Sequence, residues 1–313
     1  MIERHHCPVC SAPSATVLLS VPYSDRSIAH YWSLIGFRSP PPWPLDGIPF
    51  CIQECHGCGA LFQRWALTDA EATLLYGVNE APHRPQDSPL IGLAHQAQDV
   101  VLMRQLLPQA SPRILDFGMG WGRFALMAQA FGCQVSGVEV SETTREHARA
   151  HGIRLVEEAS LEDNAYDFVI VDQVFEHLVD PAAMARRLTR CLKPGGLLLC
   201  GVPGHRKLPS KLKRLSRRPD PAAALTRKDL DAISPLIHLT LFNTRSLRRL
   251  GQQAGLQLRR PSPWLTLGAG ALWNRPRQWN RHFLLAWKYW RAIGTRMWFQ
   301  KPANASSASP PSS

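Results

Sequence analysis

The sequence predicts an α/β protein: a doubly wound, mostly parallel sheet preceded by a small cysteine-based module. Three observations carry this reading. Arg113-Ile-Leu-Asp-Phe117 reads as a short buried strand, with glycines at 118, 120 and 122 and an apolar helix pattern over Phe124–Ala130 behind them. Downstream, strand-like and helix-like segments alternate, which is the pattern of a parallel sheet covered on both faces. Two C-x-x-C pairs, Cys7/Cys10 and Cys55/Cys58, stand well upstream of that run.

In chain order, Thr68–Tyr76 (TDAEATLLY) has helical composition and links the second cysteine pair to the sheet region. The glycine turn comes next. A strand, a glycine turn and a helix N-terminus together cradle a nucleotide-like ligand, because backbone N–H groups point at it. The spacing is Asp116-x-Gly118-x-Gly120-x-Gly122, which differs from the G-x-G-x-x-G of dinucleotide sites. Gln134–Val140 reads as a second strand carrying Glu139 near its tip, 23 residues after Asp116. An acid at that position accepts hydrogen bonds from ribose hydroxyls. Ser141–Ala150 comes after it as a helix with Ser141 as N-cap. Ile153–Val156 is a short third strand, and Tyr166–Asp172 a near-continuous apolar fourth, as burial on both faces requires. Gln173–Leu178 leaves its carboxyl end. Pro181 suits the first turn of a helix running to Cys191. Leu192–Gly196 is a turn and Leu197–Val202 a fifth strand. Ligands of such sheets bind outside the carboxyl ends of the strands. Asp116, Gly118, Gly120, Gly122, Glu139 and Gln173 fall there and form the expected binding set.

The run Asp116–Gly122 resembles motif I of the class I S-adenosylmethionine-dependent methyltransferases. The likeness continues from Tyr166 through Glu176-His177-Leu178 to Lys193-Pro194-Gly195-Gly196. It also takes in His238-Leu-Thr-Leu-Phe242 and Gly255-Leu256, so it spans roughly residues 90–260. It implies a Rossmann-like methyltransferase sheet, an enzyme, S-adenosylmethionine as cofactor and Glu139 on the ribose. Asp116 either bonds the loop backbone or reaches the methionine amino group through water. A general base, where one is used, belongs near the ends of the fourth and fifth strands, and His177 and His238 are the candidates. Each also reads as a histidine bonded to nearby backbone.

Four thiolates at the spacing of Cys7, Cys10, Cys55 and Cys58 close a tetrahedral structural zinc site, a zinc ribbon. No secretory apolar region precedes them, so a reducing, cytoplasmic setting is expected. Cys51, Cys133, Cys191 and Cys200 read as buried thiols. A zinc ribbon ahead of a methyltransferase domain resembles bacterial enzymes, some of which modify sugars or other cell-surface or secondary-metabolite precursors. The acceptor implied is a small molecule, phosphate-bearing or lipid-linked, with oxygen as the methylated atom.

Charge is unevenly spread. The 313 residues hold 36 Lys+Arg against 24 Asp+Glu, a net of +12. No acid occurs after Asp231, and Arg206–Arg218 (RKLPSKLKRLSRR) is wholly cationic among its charged residues. The domain reading is therefore 1–80 for the ribbon and its helix, 88–262 for the methyltransferase sheet with a basic loop at 204–231, 263–301 for a basic tryptophan-rich region, and 302–313 for a disordered tail. At 100° per residue, Trp279, Phe283, Trp287, Trp290, Met297 and Trp298 share one helical face. Such a helix lies on an anionic membrane, here the inner face, or docks on the domain. Two other functions stay open. Excess positive charge suits a ribosomal RNA methyltransferase, although no base-methylation motif of the Asn/Asp-Pro-Pro-Tyr type comes after the fourth strand, where Asp172-Gln-Val-Phe stands. A non-catalytic cofactor-binding adaptor is the other.

Overall fold

The glycine run sits in the middle of a seven-stranded sheet, and its surroundings reflect the chain order. The computed structural model describes residues 1–34, 45–78, 90–205, 207–270 and 295–303, with residues 284, 287, 288 and 291 between them. The elements begin with β1 (Ile2–Glu3), β2 (Ala15–Pro22), α1 (Arg26–Leu34), β3 (Pro49–Cys55), β4 (Leu61–Gln63), β5 (Trp65–Ala66), α2 (Asp69–Val78) and α3 (Leu90–Leu106). Next come β6 (Arg113–Phe117), α4 (Arg123–Ala130), β7 (Gln134–Val138), α5 (Glu142–Ala150), β8 (Arg154–Leu155), β9 (Tyr166–Asp172), α6 (Pro181–Cys191) and β10 (Leu192–Gly201). The last are α7 (Leu208–Leu215), α8 (Arg227–Ile233), β11 (Thr240–Leu241), α9 (Thr244–Gln253), β12 (Gln257–Arg259), α10 (Pro263–Gly270) and β13 (Arg296–Gln300).

Contacts divide the described residues into two units. One takes Met1–His83, Gln173–Ala183 and Val202–Leu250, and the other Arg84–Asp172, Met184–Gly201 and Gly251–Ser313. The second unit holds the sheet, in the order β12-β13-β10-β9-β6-β7-β8. The five strands from β10 to β8 are parallel. The chain runs outward from β6 to β8 and then returns to β9 on the other side of β6. That reversal opens a crevice at the carboxyl ends of β6 and β9. Phe168, Ile170, Leu197 and Leu199 are buried in its core with Phe124 and Ala125 of α4.

The far edge of this sheet differs from expectation. Met297 and Trp298 belong to no helix; with Phe299 they form the buried middle of β13, which pairs antiparallel with β10 and β12. An interior strand meets side chains on both faces, so three consecutive large apolar residues suit it as well as they suit a helix face. Trp298 packs on Phe168 at 5.6 Å between ring centroids. Phe299 lies against Gly251, where a Cβ would come within 2.3 Å of the ring. Of the remaining helix expectation, residues 284, 287, 288 and 291 are helical and exposed. The other residues of 279–294 lie outside the described set, as do the proline run at 40–44 and most of the tail.

The first unit is built from distant pieces. Its four-stranded antiparallel sheet runs β11-β4-β3-β2, and β1 pairs with β5. Leu19, Ile28, Phe50 and Ile52 share one core with Leu208, Leu212, Leu225, Leu230 and Ile233. Residues 204–231 are thus more than a basic loop. Leu208, Leu212 and Leu215 recur at helical spacing and are buried, which draws α7 onto the N-terminal strands and leaves its cations outside. A capping box, Thr226 with Asp229, starts α8.

Candidate functional site

Gly118, Gly120 and Gly122 have φ of 69°, 53° and 69°. All three are left-handed, which explains glycine at every second position. The turn is held from beneath, since Gly118 N and Met119 N donate to Val138 O at 2.9 and 3.1 Å. A Cβ on Gly120 would meet nothing within 4 Å, so that glycine borders open space, whereas one on Gly122 would strike Ile153 at 2.4 Å. Glu139 closes the loop. Its Oε2 accepts from Gly120 N at 2.7 Å, and its Oε1 accepts from Val140 N at 2.8 Å and Ser141 N at 3.0 Å. Arg145 donates to the Glu139 carbonyl at 3.0 Å. Ser141 is the N-cap of α5 as expected, but its side chain makes no capping bond. The Glu139 carboxylate receives the end of the turn instead.

Asp116 is buried beneath this loop. Its Oδ2 meets no partner among the described residues. Burial, then the charge of Asp172, pushes its carboxyl up to about 7, and the Glu139 charge adds to this against a hydrogen bond from Ala125. A buried acid with an open lone pair, raised further by the charges of Asp172 and Glu139, calls for a cation. An ammonium or sulfonium ligand fits that demand, and the left-handed glycines give its backbone cradle. Asp172 is already engaged: Arg296 reaches it at 2.5 Å and Asp99 at 2.6 Å. Sequence reasoning misses this pair, because Arg296 lies 124 residues from Asp172 and no local signal joins them.

Gln173, the sixth expected member, has φ 58°, is exposed and groups with the first unit. Its left-handed backbone turns the chain off β9 into a short 3-10 turn over Phe175–His177. His177 and His238 do come together, with ring centroids 5.1 Å apart. His177 Nδ1 donates to Ile237 O at 3.0 Å and His238 Nδ1 to Ala232 O at 3.0 Å. His177 Nε2 faces Glu176 Oε1 at 3.7 Å. Burial lowers His177 to about 4, helped by His238, and lowers His238 too. Both imidazoles are therefore neutral near pH 7. A third, His205, stands 6.5 Å from His238 and is lowered to about 4 by burial. Its position three residues past Val202, at the end of the fifth expected strand, is the local signal for it.

The segment carrying His238 is braced from the N-terminal strands. Gln63, fully buried, donates to His238 O at 2.9 Å and accepts from Leu236 N at 3.2 Å. Arg4 donates to Gln63 O at 3.0 Å and to Leu239 O at 2.5 Å. These bonds hold Ser234 and Leu236 in left-handed backbone, φ 32° and 67°, a conformation that persists only when its surroundings over-determine it.

The four expected cysteines converge. Cys7 Sγ lies 3.7 Å from Cys58 Sγ, and Cys10 Sγ 3.5 Å from Cys55 Sγ. All four sulfurs fall within 4.8 Å of one another. Disulfides need about 2.05 Å, whereas thiolates on one tetrahedral ion with bonds of about 2.3 Å stand about 3.8 Å apart. The two knuckles are built alike. Ser11 N donates to Cys7 O and Gly59 N to Cys55 O, each at 2.9 Å, and both residues have positive φ, 57° and 72°. Cys58 hydrogen-bonds Cys7 and lowers it to about 5, while burial raises Cys10 to about 11 and the Cys7 bond raises Cys58. Four thiols in one place cannot all ionise without a cation to hold them. Cys51 is buried on β3, outside this group. In the basic run, Lys211 pairs with Asp229 and Lys213 with Glu54, so part of its charge is already answered.

Fold and cradle together place the chain in the class of Rossmann-like, S-adenosylmethionine-dependent methyltransferases. The family described as Methyltransferase domain matches residues 93–260, more than half of the 313 residues, and the chain belongs to it. Among curated proteins it is similar to the ubiquinone biosynthesis O-methyltransferase of Bordetella pertussis, 34% identical over 95 residues that make up 27% of this chain and 39% of that protein. The Xanthomonas oryzae protein of the same name is 32% identical over 121 residues, 35% of this chain and 50% of the relative. The chain thus spans half or less of the length of these relatives. A solved structure, a putative sarcosine dimethylglycine methyltransferase from Galdieria sulphuraria, is 19% identical with a TM-score of 0.42, covering 72% of this chain and 88% of that one.

Proposed function

We propose that this chain transfers the methyl group of S-adenosylmethionine to an oxygen of a small molecule, and that a structural zinc ion bound by Cys7, Cys10, Cys55 and Cys58 holds the first unit together. The observation that carries the reading is the buried, open lone pair of Asp116 under a left-handed glycine turn. Its carboxylate receives the methionine ammonium. Gly118, Gly120 and Gly122 let the backbone approach the ligand, and Glu139 accepts from the ribose. A carboxylate has about four lone-pair sites, and Glu139 spends three on loop N–H groups, so one carboxylate both shapes the loop and binds the sugar. Gln173, directly after β9 in the chain, is assigned to the same cofactor.

The sulfonium supplies a methyl carbon already activated for in-line displacement. The acceptor oxygen's lone pair forms the new O–C bond as the S–C bond breaks, leaving S-adenosylhomocysteine as a neutral thioether, and the hydroxyl proton must depart. His177 and His238, both neutral, are the side chains assigned to that hydroxyl. Oxygen is supported by the names of the curated relatives. The paired lysines of α7 weigh against an open phosphate groove of the kind RNA needs.

The test is incubation of the full chain with isotope-labelled S-adenosylmethionine and fractionated small-molecule extract, followed by mass spectrometry. A labelled methyl ether and an equal amount of S-adenosylhomocysteine are expected. Cofactor that stays intact with every fraction, or label appearing only in RNA, overturns the reading.

A further inference from the structure

We propose that Glu176, His177 and His238 form a second metal site, distinct from the four thiolates, that takes a divalent first-row transition-metal ion. These three side chains each offer a ligand atom, and the atoms lie within 4.8 Å of one another. Ligands on one such ion stand about 3 to 3.5 Å apart, so the group needs a contraction of about 1 Å. His177 Nε2 and Glu176 Oε1 are nearly there at 3.7 Å.

The imidazoles are set as ligands are. A metal-binding histidine usually donates its other ring N–H to a carbonyl or carboxylate, which fixes tautomer and ring orientation. Here both do so, His177 to Ile237 O and His238 to Ala232 O. With Nδ1 so engaged, Nε2 of each ring is the nitrogen left to serve as ligand. The mount is rigid, since Gln63 and Arg4 hold the segment that carries His238. The two rings meet edge to face, with 61° between their planes.

Donor chemistry separates the two sites. Four sulfurs select zinc. Two imidazole nitrogens and one carboxylate oxygen, with positions left open, suit cobalt, manganese, iron(II) or zinc rather than magnesium or calcium. The consequence for catalysis rests on the oxygen-methylation reading: an ion there is a Lewis acid toward the acceptor hydroxyl and lowers its proton affinity. His177 and His238 then act on the hydroxyl as ligands, and its proton leaves to water.

The experiment uses the full chain, loaded with a single equivalent of zinc, which the four thiolates take first, and then titrated with cobalt(II). Zinc outranks cobalt in affinity at a given site, so the thiolates keep their zinc. One further cobalt per chain is expected, with visible ligand-field bands and no near-ultraviolet thiolate-to-cobalt band. Glu176→Gln and His238→Gln should each weaken it at least tenfold while the zinc content stays at one. If a variant loses its zinc, the wild-type stoichiometry and spectrum decide alone. No saturable cobalt, or uptake unchanged in both variants, overturns the site. Cobalt bound by a chain that never methylates supports the site and sinks the functional reading. Cofactor binding without a second metal does the reverse.

Discussion

The glycine cradle and the histidine–cysteine unit are assembled in opposite ways. The hydrogen bonds that shape the cradle join residues close in sequence: Gly118, Gly120, Val138, Glu139 and Ser141 span a single strand–turn–helix–strand stretch. In the other unit Arg4 meets Leu239, 235 residues away, Gln63 meets His238, 175 away, and one core joins β2 to α7 and α8. The first arrangement depends on local backbone conformation. The second depends on the closure of long loops, whose entropy must be offset by packing and, if the thiolates hold zinc, by metal.

If that contrast is right, removing the zinc has the largest effect. A chelator, or Cys55→Ser, should cost on the order of 10 kcal/mol in the first unit. Hydrogen exchange would then show protection lost over 202–241 as well as 15–66, and kept over 113–138. Protection that survives over 202–241 would mean that α7 and α8 stand without the N-terminal strands. Trp298→Ala makes the opposite cut. It should destabilise the sheet unit by about 3–5 kcal/mol, read as a lower midpoint in denaturant, and leave the zinc content unchanged.

Gly120→Leu separates conformation from binding. A left-handed leucine costs about 1–2 kcal/mol, and its side chain enters the open space over the cradle. Calorimetry should show S-adenosylmethionine affinity reduced at least 100-fold with the protein still folded. Asp116 gives the smallest and most diagnostic effect. Its folded-state carboxyl is raised, from 3.8 to about 7, so without ligand it costs nothing below about pH 4 and progressively more as pH climbs toward 7. A cationic ligand draws it back down. Binding near pH 7 should release protons and should weaken as pH falls toward 5. Titrations in buffers of different ionisation enthalpy measure this, and Asp116→Asn should abolish the proton release.

The same contrast sets how much is legible in the sequence. Strand β9 and helix α6 follow from continuous apolar runs and a proline at the first turn, and the cradle follows from glycines that only left-handed backbone explains. Cysteine spacing is enough to bring four thiols together across the 44 residues between the knuckles. Helix α7 reads by its charge alone, because seven cations over 206–218 obscure the three leucines that decide its place. Strand β13 reads as helix, because Met-Trp-Phe satisfies either period until a partner strand is known. Nothing local can reveal that Gln63 and Arg4 position His238, since that coupling exists only after the chain closes.

The most direct test is calorimetric binding of S-adenosylmethionine to the full chain, with Asp116→Asn and Glu139→Ala beside it. The account predicts one saturable site per chain, weakened at least tenfold by either substitution while the fold persists. No heat of binding in the wild type, or equal affinity in all three proteins, would contradict it.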